Sequence, residues 1–248
     1  MSDVRAAELA LHQRTGLACA AAAAAGVPGR FRVWEHEGLL AVLATDPALA
    51  FLSTVSGVAP ETRPAVPGLL DAPEWDGVRP TVLTTDVDAP PAAGLVRAGE
   101  RVLAVHRLGE RPEPSAEVVD ASGGFVDVLL AGYETSGVVA EFVAAEHRLP
   151  QVRRFLVVED GTPIAAAAMT VHGEVAVLGG ASTLPAHRGR GAQPRLLRHR
   201  LRVAADAGCV LAVATARAGS VSAANLGRAG FRCYRRSAWV RQCGPDRR

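Results

Sequence analysis

The amino-acid sequence predicts an α+β fold in two halves. Helical apolar spacing covers roughly 4–25, 126–147 and 194–205, and short apolar runs of strand length lie between these stretches. The acidic-glycine turn Glu159-Asp-Gly161 separates two of those runs, as in a β-hairpin. The polar segment 109–115 carries two prolines, a composition typical of a boundary between halves.

The first half opens with the helix expected at about 4–25. Strand-like runs follow it at 31–34, 39–43, 81–84 and 102–105. A region rich in proline and glycine over 58–80 separates the second run from the third, and a connection of that length is either functional or loosely ordered. This half contains no glycine-rich phosphate loop and no acid/base cluster.

The second half alternates helices and strands more regularly. One or two helices are expected over 126–147, followed by a meander of three strands. A helix then begins at Pro194 and ends before Gly208. The remaining predicted elements are a buried strand at 209–214, a short helix at 222–229 and a last strand at 231–240.

Composition excludes several functional classes. The 248 residues are 49% hydrophobic and 21% charged, which is enough for a core, and the net charge of +2 is low for a nucleic-acid-binding protein. The four cysteines have no CxxC or Cys/His metal spacing, so we expect no metal and reduced thiols. The alanine-rich run 18–25 is too short to span a bilayer, and Asp3, Arg5 and Glu8 are unlike a signal peptide. We therefore expect a cytoplasmic protein that binds neither nucleic acid nor membrane, as a monomer or homodimer.

One loop has the layout of a phosphate site. A strand, the turn Arg188-Gly-Arg-Gly191 and a helix follow one another, which would point backbone N–H groups and a helix N-terminus at an anion. Arg188 and Arg190 can add charge-assisted hydrogen bonds. The P-loop pattern GxxxxGK[ST] is excluded because the chain has no lysine. The dinucleotide pattern GxGxxG fails because Ala-Gln-Pro follows Gly191.

The loop 184–193 resembles the acetyl-coenzyme A signature of the GNAT acyltransferase superfamily, Arg/Gln-x-x-Gly-x-Gly/Ala. About forty residues downstream, the block 219–231 resembles the fourth helix and Gly-Phe turn of the same superfamily. The resemblance covers roughly 124–242. It implies two GNAT-like lobes, each a mixed, mostly antiparallel twisted sheet flanked by helices.

The resemblance also suggests a division of the chain. The domains would be a degenerate GNAT-like lobe without a cofactor loop at 1–110, a linker at 111–118 and a GNAT acyltransferase domain at 119–243. The segment 92–105 looks like a copy of the short helix, glycine turn and last strand at 226–234. The alternative for the first half is an unrelated α+β cap.

The resemblance further implies how acetyl-CoA would bind. In GNAT folds the fourth strand splays from the fifth, and pantetheine inserts between them. Gly179-Gly180 would mark that place by a bulge, the alternative being a plain kink. The freed backbone would polarise the thioester carbonyl. The predicted cofactor residues are Ala181, Ser182, Thr183, Arg188, Gly189, Arg190, Gly191, Ala192, Gln193, Ser222 and Asn225; for Asn225, a helix-surface role is the alternative.

The catalytic groups are less well defined. Gln193 stands where the superfamily has a small residue, and Leu226 stands where many members have a tyrosine as general acid; Tyr234 falls on the next strand. The candidate bases are Glu134 and Glu174. With Glu134, the residues Glu141, Glu146 and His147 suggest an acidic acceptor pocket.

The sequence thus predicts an acyl-CoA-dependent N-acyltransferase, with acetyl-CoA as the default donor. The acceptor would be a primary amine of a small molecule, attacking directly in a ternary complex, since no Cys-His or Ser-His pairing is evident. Two alternatives remain: a protein or peptide N-acetyltransferase, and a non-catalytic acyl-CoA-binding regulator.

Overall fold

The computed structural model describes residues 2–86, 88–109, 117–121 and 123–242. The linker predicted at 111–118 lies mostly outside these residues, so the predicted domain boundaries stay predictions. Within the described residues there are six α-helices: α1 Asp3–Ala24, α2 Val66–Leu70, α3 Phe125–Tyr133, α4 Gly137–His147, α5 Ala192–Asp206 and α6 Val221–Arg228.

The described strands fall into two series. Those of the first half are β1 Phe31–His36, β2 Leu39–Ala44, β3 Thr54–Val58, β4 Thr81–Thr84 and β5 Leu95–Arg107. Those of the second half are β6 Val118–Asp120, β7 Arg153–Glu159, β8 Thr162–His172, β9 Val175–Thr183, β10 Leu211–Arg217 and β11 Arg232–Arg241. The predicted strands and the long helices are all present, whereas β3 and β6 were not predicted.

The prediction of a short helix before the strand at 102–105 was wrong. Residues from Leu95 to Arg107 form one strand, which pairs with β11 from Leu95↔Arg241 to Val105↔Arg232. The hydrogen bonds that fix its conformation therefore come from a segment more than a hundred residues away. Such non-local pairing overrides a local helical pattern.

All eleven strands form one sheet, in the order β1-β2-β3-β4-β11-β5-β10-β9-β8-β7-β6. The last strand of each half is inserted beside the other half: β11 lies between β4 and β5, and β5 lies between β11 and β10. Among the strands of the described residues, only the pairs β3/β4 and β9/β10 are parallel. The sheet is therefore mixed and mostly antiparallel, as predicted.

Helices pack on both faces of the second half of this sheet. Leu196 and Leu201 of α5 join a core cluster with Phe155 and Met169, whereas Ala7 of α1 belongs to a separate cluster with β9 and β10. The strand β8 contributes four consecutive alanines, 165–168, which are fully buried. Small side chains on both faces let α3 and α5 approach this strand closely.

Candidate active site

The site begins where β9 and β10 separate. Their parallel pairing extends only from Val175↔Leu211 to Val177↔Val213, although β9 continues to Thr183 and β10 to Arg217. A cleft of about 980 Å³ opens beyond the last pair. It reaches from Leu178 on β9 to the loop before α5 and to α6.

A bulge in β9 shapes one wall of this cleft. The register with β8 shifts between Ala166↔Ser182 and Ala168↔Gly179, and Gly180 has φ +59. A Cβ on Gly180 would lie 2.0 Å from His147 Nε2. A Cβ on Gly179 would lie 2.8 Å from Arg14 Cζ. The glycine pair therefore forms a bulge, not a plain kink, and both positions need glycine because buried side chains press against them.

The glycine loop leads directly into α5. Gly189 and Gly191 have φ +79 and +80, a conformation that favours glycine, and Gly191 is the N-cap residue of the helix. The first N–H groups of α5 have no acceptor within the helix. Its positive dipole end therefore faces the mouth of the cleft, as an anion site requires.

Gln193 and Arg188 tie this loop to its surroundings. Gln193 Nε2 donates to Ser182 O at 2.8 Å and to Thr183 Oγ1 at 3.0 Å. Arg188 Nη2 donates to Gly132 O at 3.0 Å and to Glu134 Oε2 at 2.7 Å. Gln193, the departure from the small residue of the signature, thus fastens the first turn of α5 to the end of β9.

The structure brings most of the predicted cofactor residues together. Ten of the eleven line the cleft. Arg190 does not line it among the described residues; its carbonyl accepts a hydrogen bond from Arg195 Nη2 at 3.0 Å. Asn225 lines the cleft while its Oδ1 accepts from Arg228 Nη2.

The structure does not bring the two candidate bases to the cleft lining. Glu134 ends α3 at the mouth, is 61% exposed and pairs with Arg188. Glu174 lies in the turn before β9, six residues from Gly180, which is about 20 Å along an extended strand. Glu141 is exposed on α4. In the described residues no carboxylate side chain lines this cleft, so the acidic acceptor pocket stays a prediction.

A buried polar cluster lies beneath the bulge. Arg14 of α1 donates from Nε to Glu146 Oε1 and from Nη1 to Val177 O, at 2.8 and 3.1 Å. His147 is 2% exposed, and its Nδ1 lies 2.8 Å from Val143 O. Nδ1 must carry the proton in that bond, so Nε2 holds a lone pair; this atom is buried and finds no hydrogen-bond partner among the described residues.

Burial sets the protonation of this histidine. It lowers the pKa of His147, and the Glu146 carboxylate opposes that shift only partly. His147 is therefore neutral at pH 7.

Tyr133 is a functional candidate that the sequence analysis missed. The residue is 41% exposed and lines the cleft beside Gly180 and Ala181. Burial, with the nearby Glu146 carboxylate, raises the pKa of Tyr133 to about 12. A tyrosine from α3 thus enters the cleft, while Leu226 occupies the position expected for a tyrosine. Tyr234 does not line the cleft and contacts Arg232 instead.

Arg200 of α5 lies among the residues that line the cleft. Its Nε donates to Leu196 O at 3.3 Å and its Nη1 to Ala168 O at 3.2 Å. Burial and the charge of Arg14 lower its pKa to about 10, so the guanidinium is charged at neutral pH.

The described residues contain neither a membrane-spanning helix nor a metal-binding cluster. None of their helices combines the length and apolar character of a membrane-spanning segment. No group of three or more histidine, cysteine or acidic side chains comes close enough to hold a metal ion within those ranges.

Comparison with known proteins agrees with the geometry of the cleft. Residues 126–231 match the model of the acetyltransferase (GNAT) family. No curated protein matches the chain.

Solved structures extend the likeness to the first half. A GCN5-related N-acetyltransferase from Kribbella flavida is 19% identical, with a TM-score of 0.60 over 92% of this chain and 96% of that one. A GNAT-family acetyltransferase structure from Novosphingobium aromaticivorans is 20% identical, with a TM-score of 0.57 over 85% of this chain and 92% of that one. A tandem GNAT protein from the clavulanic acid biosynthesis pathway is 15% identical, with a TM-score of 0.54 over 84% of this chain and 79% of that one. Residues 126–231 therefore match the GNAT acetyltransferase family model, within a chain whose fold is GNAT-like over both halves.

Proposed function

We propose that this protein is an acyl-CoA-dependent N-acyltransferase that moves an acetyl group from acetyl-CoA to a primary amine of a small molecule. One observation carries the proposal: a single cleft contains both the gap between β9 and β10 and the glycine loop at the start of α5. The first feature suits an extended pantetheine chain, and the second suits its phosphates.

The residues present fit this co-substrate. The loop 188–191 and the first turn of α5 offer backbone donors and a positive dipole to a pyrophosphate. His187, Arg188 and Arg228 also line the cleft. Where the two strands separate, the unpaired edges of β9 and β10 offer peptide groups to pantetheine amides.

Tyr133 is the group best placed to act on the thioester. The amine attacks the carbonyl carbon, a C–N bond forms, and the C–S bond breaks. Tyr133 lines the cleft, and its hydroxyl hydrogen would donate to the thioester oxygen there. A pKa of about 12 keeps it protonated at neutral pH. In this proposal Tyr133 donates to the oxygen that gains negative charge, a role that we expected of the backbone at 181–183 from the resemblance.

Water would take the proton that the amine loses. The described lining of the cleft has no carboxylate, so an amine entering as the free base would attack without help from an acidic residue. The departing thiolate, with an ordinary pKa of about 8.5, needs no strong acid near neutral pH.

The lack of a carboxylate in the described cleft lining also favours a second candidate function, a regulator that binds acyl-CoA without turnover. Release of free thiol from acetyl-CoA across a panel of small amines and short peptides separates the possibilities. Amine-dependent thiol release, with intersecting initial-velocity patterns, is expected for direct transfer in a ternary complex. Acetyl-CoA binding without turnover on the whole panel would favour the regulator, and turnover of peptides alone would favour the peptide N-acetyltransferase.

A further inference from the structure

Among the described residues, no acidic side chain forms an ion pair with the buried guanidinium of Arg200. The residue is 4% exposed, and its two hydrogen bonds in the described structure go to backbone carbonyls of Leu196 and Ala168, which have no net charge. Buried charges in proteins are normally paired, because the desolvation of an unpaired ion is costly. Two neutral carbonyls therefore leave most of this charge uncompensated.

The neighbours of Arg200 do not neutralise it. Arg14 carries the same charge and is itself paired with Glu146. The acidic group that acts on Arg200 is the Tyr133 hydroxyl, which is protonated at neutral pH. No carboxylate side chain lines the cleft in the described part of the chain. A counter-ion for Arg200 would have to come from the ligand.

The phosphates of a coenzyme A molecule do not explain this arginine. Arg200 lies eight residues after Ala192 on α5, which places it about 12 Å along the helix from the glycine loop. It lines the cleft with Leu178 and Gly179, the first residues of β9 beyond the point where β9 and β10 separate, and its Nη1 bonds Ala168, the β8 residue paired with Gly179. An anion at that depth belongs to the reacting part of the substrates.

We infer that Arg200 binds a carboxylate carried by the substrate next to the reacting centre. The inference rests on the proposed function and narrows its substrate class. The carboxylate has two possible sources, the distal end of a dicarboxylic acyl group on the donor or an amino acid that serves as the amine acceptor. A guanidinium pairs with a carboxylate through charge-assisted, often bidentate, hydrogen bonds. The same charge disfavours polyamine acceptors.

Matched substrate pairs test the inference and identify the source. The donor pair is succinyl-CoA against butyryl-CoA, which differ by one terminal carboxylate. The acceptor pair is phenylalanine against phenethylamine, with acetyl-CoA as donor. In the wild type we expect kcat/KM for the carboxylate member of one pair to exceed that of its partner at least a hundredfold. The pair that shows this preference identifies whether the acyl donor or the amine acceptor carries the carboxylate.

Two variants connect the preference to Arg200. Arg200→Met removes a buried charge and keeps an apolar side chain, so we expect it to fold, to bind acetyl-CoA within threefold of the wild type and to lose the preference. Arg200→Lys keeps the positive charge but cannot form a bidentate pair with a carboxylate. It should therefore prefer the carboxylate substrate at least tenfold less strongly than the wild type does. If Arg200→Met does not fold, the Arg200→Lys variant and the wild-type substrate pairs still test whether Arg200 binds a substrate carboxylate.

Contrary results fall into distinct groups. Equal kcat/KM for both members of both pairs would overturn the inference while leaving acyl transfer intact. A preference that persists in Arg200→Met would also overturn it and assign Arg200 a purely structural role. Failure of the wild type to bind acetyl-CoA at all would remove the proposed function, and this inference with it.

Discussion

The guanidinium of Arg14, on the first helix of the chain, forms a buried ion pair with the carboxylate of Glu146 on α4, with Nη2 2.8 Å from Oε1. The two side chains are 8% and 15% exposed. Arg14 also donates to Val177 O, the last residue of β9 that pairs with β10. The first half of the chain thus supports the point where the cleft opens.

Breaking this ion pair should be costly. We expect Arg14→Met to lower the free energy of unfolding by about 3–5 kcal/mol, because Glu146 would stay buried without a partner. Urea titration measures the change. Arg14→Met/Glu146→Leu should recover part of the loss. Arg107→Met, which breaks the exposed pair with Asp3, should cost no more than about 1 kcal/mol. Equal losses for the buried and exposed pairs would contradict the burial of Arg14.

Gly180→Ala tests the bulge. A left-handed conformation alone costs a non-glycine residue about 1–2 kcal/mol, and that is the expected loss for Gly208→Ala, where nothing lies within 4 Å of the new Cβ. At Gly180 the new Cβ would meet His147 Nε2, so we expect a further ~1–3 kcal/mol. Thermal unfolding of both variants measures the difference. Similar losses for the two would mean that His147 does not press on the bulge.

Tyr133→Phe tests the proposed oxyanion donor. Removal of one such donor typically lowers kcat by about 10²–10³. We expect a loss of that order with the acetyl-CoA dissociation constant unchanged, because the ring stays in place. Tyr234→Phe, which removes a hydroxyl outside the cleft lining, is the matched control and should keep full activity. An active Tyr133→Phe would transfer the role back to the backbone of 181–183.

Buried histidines predict a loss of stability at mildly acidic pH. Burial lowers the pKa of His12 and of His147 below the ordinary 6.5. The two neutral histidines contribute fully to the free energy of unfolding above their unfolded-state pKa. As the pH falls from there through their folded-state pKa values, this contribution is lost, because the unfolded chain binds protons at a higher pH than the folded chain. Each can add a slope of up to ~1.4 kcal/mol per pH unit within that window. Urea titrations at pH 7.5, 6.5 and 5.5 measure the slope, which His147→Gln should reduce. A flat profile below pH 6.5 would contradict the prediction.

The sequence predicted the second half well because its signals are local. The turn at Glu159-Asp-Gly161, the helix before Gly208 and the Gly179-Gly180 pair all act through nearby residues. The same is true of the glycine loop, so ten of the eleven predicted cofactor residues share one cleft. In each case the spacing along the chain determines the local geometry.

The features that were not predicted depend on contacts between segments that are distant in the sequence. The strand β5 owes its conformation to β11, and Tyr133 reaches the cleft only because α3 packs against β9. Arg14 and Glu146 are 132 residues apart in the sequence, and neither lies in a motif. Glu174 looked suitable because it precedes β9, but an extended strand carries it away from the bulge. Periodicity and motif spacing carry no information about such pairings.

Calorimetric titration of acetyl-CoA into the wild type and two tryptophan variants tests the central claim most directly. Thr215→Trp would fill the gap between β9 and β10, whereas Val210→Trp places the same exposed side chain just before β10 and outside the cleft lining. We expect micromolar binding by the wild type and Val210→Trp, and at least tenfold weaker binding by Thr215→Trp, which is about 1.4 kcal/mol. No binding by the wild type, or equal binding by all three proteins, would contradict the assignment of this cleft to an acyl-CoA.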